Sequence, residues 1–200
     1  MDPEFKNAHF IVSIFESGRL PPEDLPEIAL AGRSNAGKSL LLNRLVGRRG
    51  LARVSSRPGR TQSLNFFKVD SRFYLVDLPG YGFAKAPASA RKRWQHLIEN
   101  YLENRSTLKL VVSILDIRRQ PDELDLGLLE YLHYLKRRVL LVLNKADKIS
   151  QPKRSARIKE IKYFLPDWLE EPIILSAKTG EGVSSLRDIL LDNKLWIKRH

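Results

Sequence analysis

The sequence predicts an α/β fold: a mostly parallel sheet, helices on both its faces and one antiparallel edge strand. Three observations carry this. The runs at 27–31, 108–115 and 139–143 are close to continuously apolar, as in strands buried on both faces. Helical periodicity at 91–102 and 124–135 alternates with them. Between the first run and a helical apolar face at 40–45 stands Gly32-Arg33-Ser34-Asn35-Ala36-Gly37-Lys38-Ser39, the GxxxxGKS pattern of a P-loop. That pattern requires a strand before it and a helix after it.

The chain has 200 residues, which suits one domain with a full hydrophobic core. It is 42% hydrophobic and 29% charged, as in globular proteins. No apolar run approaches the roughly 20 residues of a membrane span, and no signal peptide is visible. The absence of cysteine excludes disulfides and thiolate zinc sites, and fits a reducing, cytoplasmic setting. His9, His96, His133 and His200 are scattered without ligand spacing. Lys plus Arg is 35 against 23 for Asp plus Glu, a net charge of +12. Nucleic acid or an acidic surface is therefore the leading partner class; the bland alternative is a merely soluble basic surface.

In chain order, Met1-Asp2-Pro3-Glu4-Phe5 resembles a cloning scar and is set aside from fold reasoning. Residues 1–23 read as an N-terminal arm whose apolar segment, 10–15, packs on the domain formed by 24–200. Residues 44–68 contain no acid and carry Arg48, Arg49, Arg53, Arg57 and Arg60, which reads as a mobile basic loop. Two strands, 64–69 and 73–76, flank a turn at Asp70-Ser71 and supply the antiparallel edge strand. The 91–102 helix puts Trp94, Leu97, Ile98 and Tyr101 on one face. Further helices are expected at 124–135, 156–164 and 184–191, the last running toward Trp196, and a last strand at 172–175. There are no repeats and no low-complexity linker. Ligands of such sheets lie beyond the carboxyl ends of the strands. Gly32, Asp77, Asn144 and Ser176 all stand just past strand ends, so four motifs converge on one rim.

Each motif has a chemical reading. Backbone N–H groups of the P-loop and the N-terminus of its helix wrap phosphates. Lys38 reaches the β- and γ-phosphates, and the Ser39 hydroxyl ligates Mg²⁺. In Asp77-Leu78-Pro79-Gly80, the carboxylate supports the Mg²⁺ and the Gly80 N–H approaches the γ-phosphate. Asn144-Lys145-Ala146-Asp147 is NKxD. The Asp147 carboxylate accepts from both guanine N1–H and N2–H₂, a donor pair that adenine lacks. Ser176-Ala177-Lys178 supplies a backbone N–H to guanine O6. Thr61 is the candidate for a further Mg²⁺ ligand, giving the metal set Ser39, Thr61 and Asp77. On chemistry alone Ser55, Ser56 and Ser63 compete with Thr61.

Together GRSNAGKS, RPGRTQSLNFF, DLPGYGFAKAP, NKADK and SAKTGEG resemble the EngB family (also called YihA or YsxC) of bacterial translation-factor-class GTPases, over about residues 24–197. GRTQSLNFF and DLPGYGFAK are the family-specific parts. The resemblance implies a P-loop GTPase fold of the Ras-like kind, binding of GTP and GDP with Mg²⁺, and slow intrinsic hydrolysis. It also implies a role in large ribosomal subunit assembly, through the particle or its rRNA, and a link to cell division and septation. Within Gly59-Arg60-Thr61-Gln62-Ser63 it selects Thr61 as the Mg²⁺ ligand. Leu40 stands where relatives commonly carry a small residue, a difference in helix packing.

Tyr81 occupies the position where Ras-like enzymes place a water-orienting Gln. Arg57, Arg60 and Lys85 are open alternatives for stabilising the developing charge. Asn35, in GxxNxGKS, is a candidate K⁺ ligand in a form shared with potassium-stimulated relatives of the same broad class. Lys38, Thr61 and Asn35 are thus the candidate catalytic residues. Two rivals stand beside the monomeric GTP-hydrolysing switch. One is a basic RNA-binding module in which GTP is mainly structural, and the other is a nucleotide kinase, which NKxD disfavours.

Overall fold

The nearly continuous apolar runs form the centre of a seven-stranded sheet. The structure is a computed structural model that describes residues 5, 7–16, 20–53, 63–82 and 88–192, with backbone only for 88–91 and 94. The strands are β1 (Ala8–Ile14), β2 (Glu27–Gly32), β3 (Leu64–Val69), β4 (Phe73–Asp77), β5 (Leu108–Asp116), β6 (Val139–Asn144) and β7 (Ile173–Ile174), in the order β1-β3-β4-β2-β5-β6-β7. The helices are α1 (Lys38–Leu45), α2 (Ala88–Asn104), α3 (Glu123–Tyr134), α4 (Gln151–Lys162) and α5 (Val183–Leu191). β2 pairs in parallel with β4 and β5, β5 with β6, and β6 with β7.

Side chains alternate along β2 as strand geometry demands. Ile28 and Leu30 join Leu41, Leu42 and Leu45 of α1 and Leu186 and Leu190 of α5 on one face. Ala29 and Ala31 join Leu97, Tyr101 and Leu102 of α2 and Leu132 of α3 on the other. Leu141 and Leu143 of β6 pack with Ile161 of α4. Of the face expected on α2, Leu97 and Tyr101 are buried and Ile98 packs beside them; the side chain of Trp94 lies outside the described residues.

Two N-terminal expectations change. The 10–15 segment belongs to β1, a strand of the sheet itself that pairs antiparallel with β3. β3 also runs antiparallel to β4, so the antiparallel strand is second from the edge and β1 takes the edge. The physical gain is that β1 satisfies the outward backbone groups that β3 would otherwise expose. Phe5, set aside with the first five residues, is only 2% exposed and meets Phe73 edge-on at 5.6 Å. The Asp70 carboxylate accepts from the N–H groups of Phe5 and Asn7 at 2.5 and 2.9 Å. Asp70 and Ser71 both have positive φ, the left-handed pair at the centre of a tight turn between β3 and β4, closed by Arg72 N–H donating to Val69 O at 2.9 Å. At the other terminus α5 stops at Leu191, with Asp192 extended; Trp196 lies outside the described residues. So do Ser55, Ser56, Arg57, Gly59, Arg60, Thr61, Gln62 and Lys85.

The edge of the sheet far from the strand carboxyl ends is fastened by one buried carboxylate. Glu27 is fully buried and accepts from Tyr101 at 2.8 Å, Arg105 at 2.7 Å and Thr107 at 2.8 Å. This holds the C-terminal end of α2 against β2. Arg105→Ala leaves that carboxylate without its cation and should cost about 3–5 kcal/mol. Urea unfolding of the variant and the parent measures it; a loss below 1 kcal/mol, the scale of a surface pair, would show the pair to be dispensable.

Candidate functional site

The carboxyl ends of β2, β4 and β6 and the segment after β7 bring the four motifs to one rim. β2 runs into the P-loop at Gly32, where a Cβ would lie 2.5 Å from the Ile114 carbonyl of β5. Gly37 caps α1 in the left-handed region, with φ of 101°, a conformation that favours glycine. A Cβ there would also strike the Asn144 amide at 2.4 Å.

Lys38 is 7% exposed, and its ammonium donates to the carbonyls of Gly32 (2.9 Å) and Arg33 (3.2 Å). Burial pushes its pKa down, and Asp77 works against that shift. Asp77, at the end of β4, is 2% exposed, and burial pushes its carboxyl up against the opposing pull of Lys38 and Ser39. The Ser39 hydroxyl donates to Asp77 Oδ2 at 2.8 Å, while Oδ1 is buried and has no hydrogen-bond partner among the described residues. An unpaired buried carboxylate oxygen is costly, and a divalent cation beside it would remove the cost. Ser39 and Asp77 therefore fit a Mg²⁺ ion, a hard cation that takes oxygen ligands.

Past Asp77, the chain is docked onto the P-loop. Ser34 N–H donates to Tyr81 O at 3.0 Å. A Cβ on Gly80 would come within 2.8 Å of Ser34 N and Cα. The Tyr81 side chain turns to α3, where its hydroxyl donates to Asp125 Oδ1 at 2.8 Å. Burial first, then Asp125, pushes this phenol far above its ordinary value, so it stays protonated and donates. Asp125 also closes the capping box of α3 with Asp122, and Asp122 pairs with Arg33 of the P-loop.

The segments 144–147 and 176–178 are joined to the P-loop by side chains. Asn144 is 1% exposed; its amide donates to Ala36 O at 2.8 Å, and its oxygen accepts from Lys145 N at 2.7 Å and Ala177 N at 3.0 Å. The Lys145 ammonium donates to Asn35 O at 2.6 Å and pairs with Asp116 at 2.9 Å. Burial alone would raise the Asp116 carboxyl, but hydrogen bonds from Arg118 and Lys145 outweigh it and hold it at about 2. Asp147 accepts from the buried Ser176 hydroxyl at 2.7 Å, which lowers its pKa and keeps it charged.

The structure thus brings together the P-loop, Asp77 to Gly80, NKxD and Ser176 to Lys178. Gly59, Arg60, Thr61 and Gln62 lie outside the described residues. Sequence reasoning missed Asp116, Asp125 and Arg44. Asp116 ends β5 beside the NKxD strand β6, and that placement was the available signal. Arg44 donates to the carbonyls of Ala177 and Lys178.

Residues 27–145 match the family model described as a 50S ribosome-binding GTPase. The chain is 46% identical over 188 residues to the "Probable GTP-binding protein EngB" of Pelotomaculum thermopropionicum, covering 94% of this chain and 95% of that protein. It is 52% identical over 179 residues to the protein of the same name in Syntrophotalea carbinolica, covering 90% and 86%. The chain belongs to the EngB family of GTP-binding proteins. A crystal structure of a probable GTP-binding protein engB superposes with a TM-score of 0.66 at 26% identity, covering 83% of this chain and 97% of that one. Aquifex aeolicus Era bound to GDP and AlF₄⁻ shares the fold, with a TM-score of 0.65 at 22% identity and coverage of 84% and 56%. This EngB-family chain is a P-loop GTPase.

Asp77→Asn keeps the volume and removes the charge. In the parent, a non-hydrolysable GTP analogue should bind more tightly with Mg²⁺ than with chelator. In the variant that difference should shrink at least tenfold, as calorimetric titration would show. An undiminished Mg²⁺ effect would take Asp77 out of the metal's surroundings.

Proposed function

We propose that the protein is a GTP-hydrolysing switch that acts on the large ribosomal subunit during its assembly, with the family's link to cell division and septation following from that role. The observation that carries this is the match of 27–145 to a 50S ribosome-binding GTPase family, on a chain of net charge +12. We read it as a monomeric cytoplasmic protein. Among the described residues no helix is long and apolar enough to cross a membrane.

In this reading the phosphates lie on the P-loop N–H groups and the N-terminus of α1. Lys38 leaves the Gly32 and Arg33 carbonyls for the β- and γ-phosphates and neutralises charge as the bond between them breaks. Ser39, Thr61 and Asp77 would hold Mg²⁺, which would supply charge neutralisation to the phosphates. Gly80 N–H contacts the γ-phosphate, and its loss releases the segment around Thr61. Asp147 accepts from guanine N1–H and N2–H₂, and the 176–178 loop donates to O6. Tyr81 is committed to Asp125, which favours slow turnover without an activator.

Asn35 is proposed as the K⁺ ligand that assists hydrolysis. It is exposed, has φ of 66°, and borders a pocket of about 270 Å³ with Asp116 and Lys145. Among the described residues none hydrogen-bonds its side-chain amide, whose oxygen is therefore available to a cation. Parent GTP hydrolysis should be faster in KCl than in NaCl at equal ionic strength, and Asn35→Ala should abolish the difference. A parent indifferent to the cation removes the role.

Arg49 and Arg53 are exposed and stand in the acid-free segment before Thr61, while Arg48 also donates to Ala8 O at 2.7 Å. We propose this segment as an RNA contact. Replacing Arg48, Arg49 and Arg53 with Ala should weaken co-sedimentation with large-subunit particles in the GTP-analogue state and flatten its salt dependence. Nucleotide affinity should stay within about threefold, the scale of distant surface changes. Equal sedimentation of parent and variant at every salt concentration would refute the contact, and sedimentation indifferent to nucleotide would refute the switch.

A further inference from the structure

We propose that Arg44 is a specificity-positioning residue: from the far end of the phosphate-binding helix it aims the 176–178 loop at the 6-position of the base. The inference rests on the guanine reading above and names a residue outside the recognised motifs that makes it selective. Arg44 stands in the last turn of α1, whose first residues are Lys38 and Ser39. Its Nε donates to Ala177 O at 3.1 Å, and its Nη2 donates to Lys178 O. A Cβ on Gly180 would lie 3.8 Å from Arg44 Nη1, so the guanidinium also lines the return of the loop.

The planarity of the peptide unit turns these contacts into a direction. Ala177 C=O and Lys178 N–H are the two ends of one trans unit, and they point opposite ways. Fixing the carbonyl on Arg44 therefore fixes the N–H on the other side. The neighbouring Ala177 N–H is taken by Asn144 at 3.0 Å, and Thr179 N–H by the Ser176 hydroxyl at 3.2 Å. Among the described residues none accepts from Lys178 N–H. A donor held in this way suits a 6-oxo purine and disfavours a 6-amino purine, which presents a donor of its own. Arg44 is itself held: Arg187 of α5 donates to Arg44 O and Leu45 O, each at 2.8 Å. The loop is thus clamped from two sides, by Asn144 within the site and by Arg44 outside it.

The test compares GDP, inosine diphosphate and 2-aminopurine riboside diphosphate by calorimetry on the parent, Arg44→Ala and Arg44→Lys. Inosine keeps the 6-oxo group and lacks the 2-amino group; 2-aminopurine has the reverse. In Arg44→Ala, GDP and inosine diphosphate should both weaken about tenfold, the scale of a hydrogen bond to a charged group. The 2-aminopurine nucleotide should be unchanged, so the preference for GDP over it shrinks. Arg44→Lys, a point-charge donor without the guanidinium fork, should fall between. Equal weakening of all three nucleotides would overturn the proposal in favour of general loosening, and unchanged GDP binding would overturn it outright. A parent that binds GDP and the 2-aminopurine nucleotide equally would overturn the guanine reading beneath it.

Discussion

The carboxamide of Asn144 is the contact on which the site depends. Its nitrogen donates to the P-loop at Ala36, and its oxygen accepts from the two segments that carry NKxD and Ser176 to Lys178, at Lys145 and Ala177. A side chain with one donor and one acceptor edge can do this, and neither Asp nor Leu, of similar size, can. The absence of space beside it explains Gly37, which has no room for a Cβ. One buried amide thus sets the spacing between the P-loop and the segments around Lys145 and Ala177. Lys145 repeats the link at the surface, joining Asn35 O to Asp116.

At the phosphate end the governing constraint is charge. Lys38 and Asp77 are both buried, and burial pushes each toward its neutral form. Their attraction and the Ser39 hydroxyl offset part of that cost, but Asp77 Oδ1 has no partner among the described residues. Such an arrangement is preorganised for ligands of complementary charge: phosphate oxygens against the ammonium, a divalent cation against the carboxylate. The stability forgone here is supplied elsewhere, by apolar clusters on both faces of the sheet and by the Glu27–Arg105–Tyr101 network at its far edge.

The central sheet was readable from sequence because strands buried on both faces leave continuous apolar runs. β1 was not readable as a strand. It lies at an edge, Phe10 and Ile11 are exposed, and a register shift between Phe10 and Val12 interrupts its period-two pattern. Phe5 was not legible as part of the core, because the Asp70 carboxylate that holds its backbone lies 65 positions away. The site motifs were legible because each is contiguous in sequence. Their supports were not: Arg44 meets Ala177 across 133 positions, and Tyr81 meets Asp125 across 44. In sequence Tyr81 shows only that a glutamine is absent; its bond to Asp125 gives it a place of its own, fastening the turn after Asp77 to α3.

The most direct test of this account is the GDP affinity of Asn144→Ala, measured by calorimetry in Mg²⁺ on protein whose thermal melt shows that it is folded. Three hydrogen bonds are lost with the side chain, and neither half of the site is otherwise altered. At about 1 kcal/mol each, the account predicts a loss of roughly a hundredfold with Lys38, Asp77 and Asp147 all in place. A folded Asn144→Ala protein that binds GDP as the parent does would contradict it.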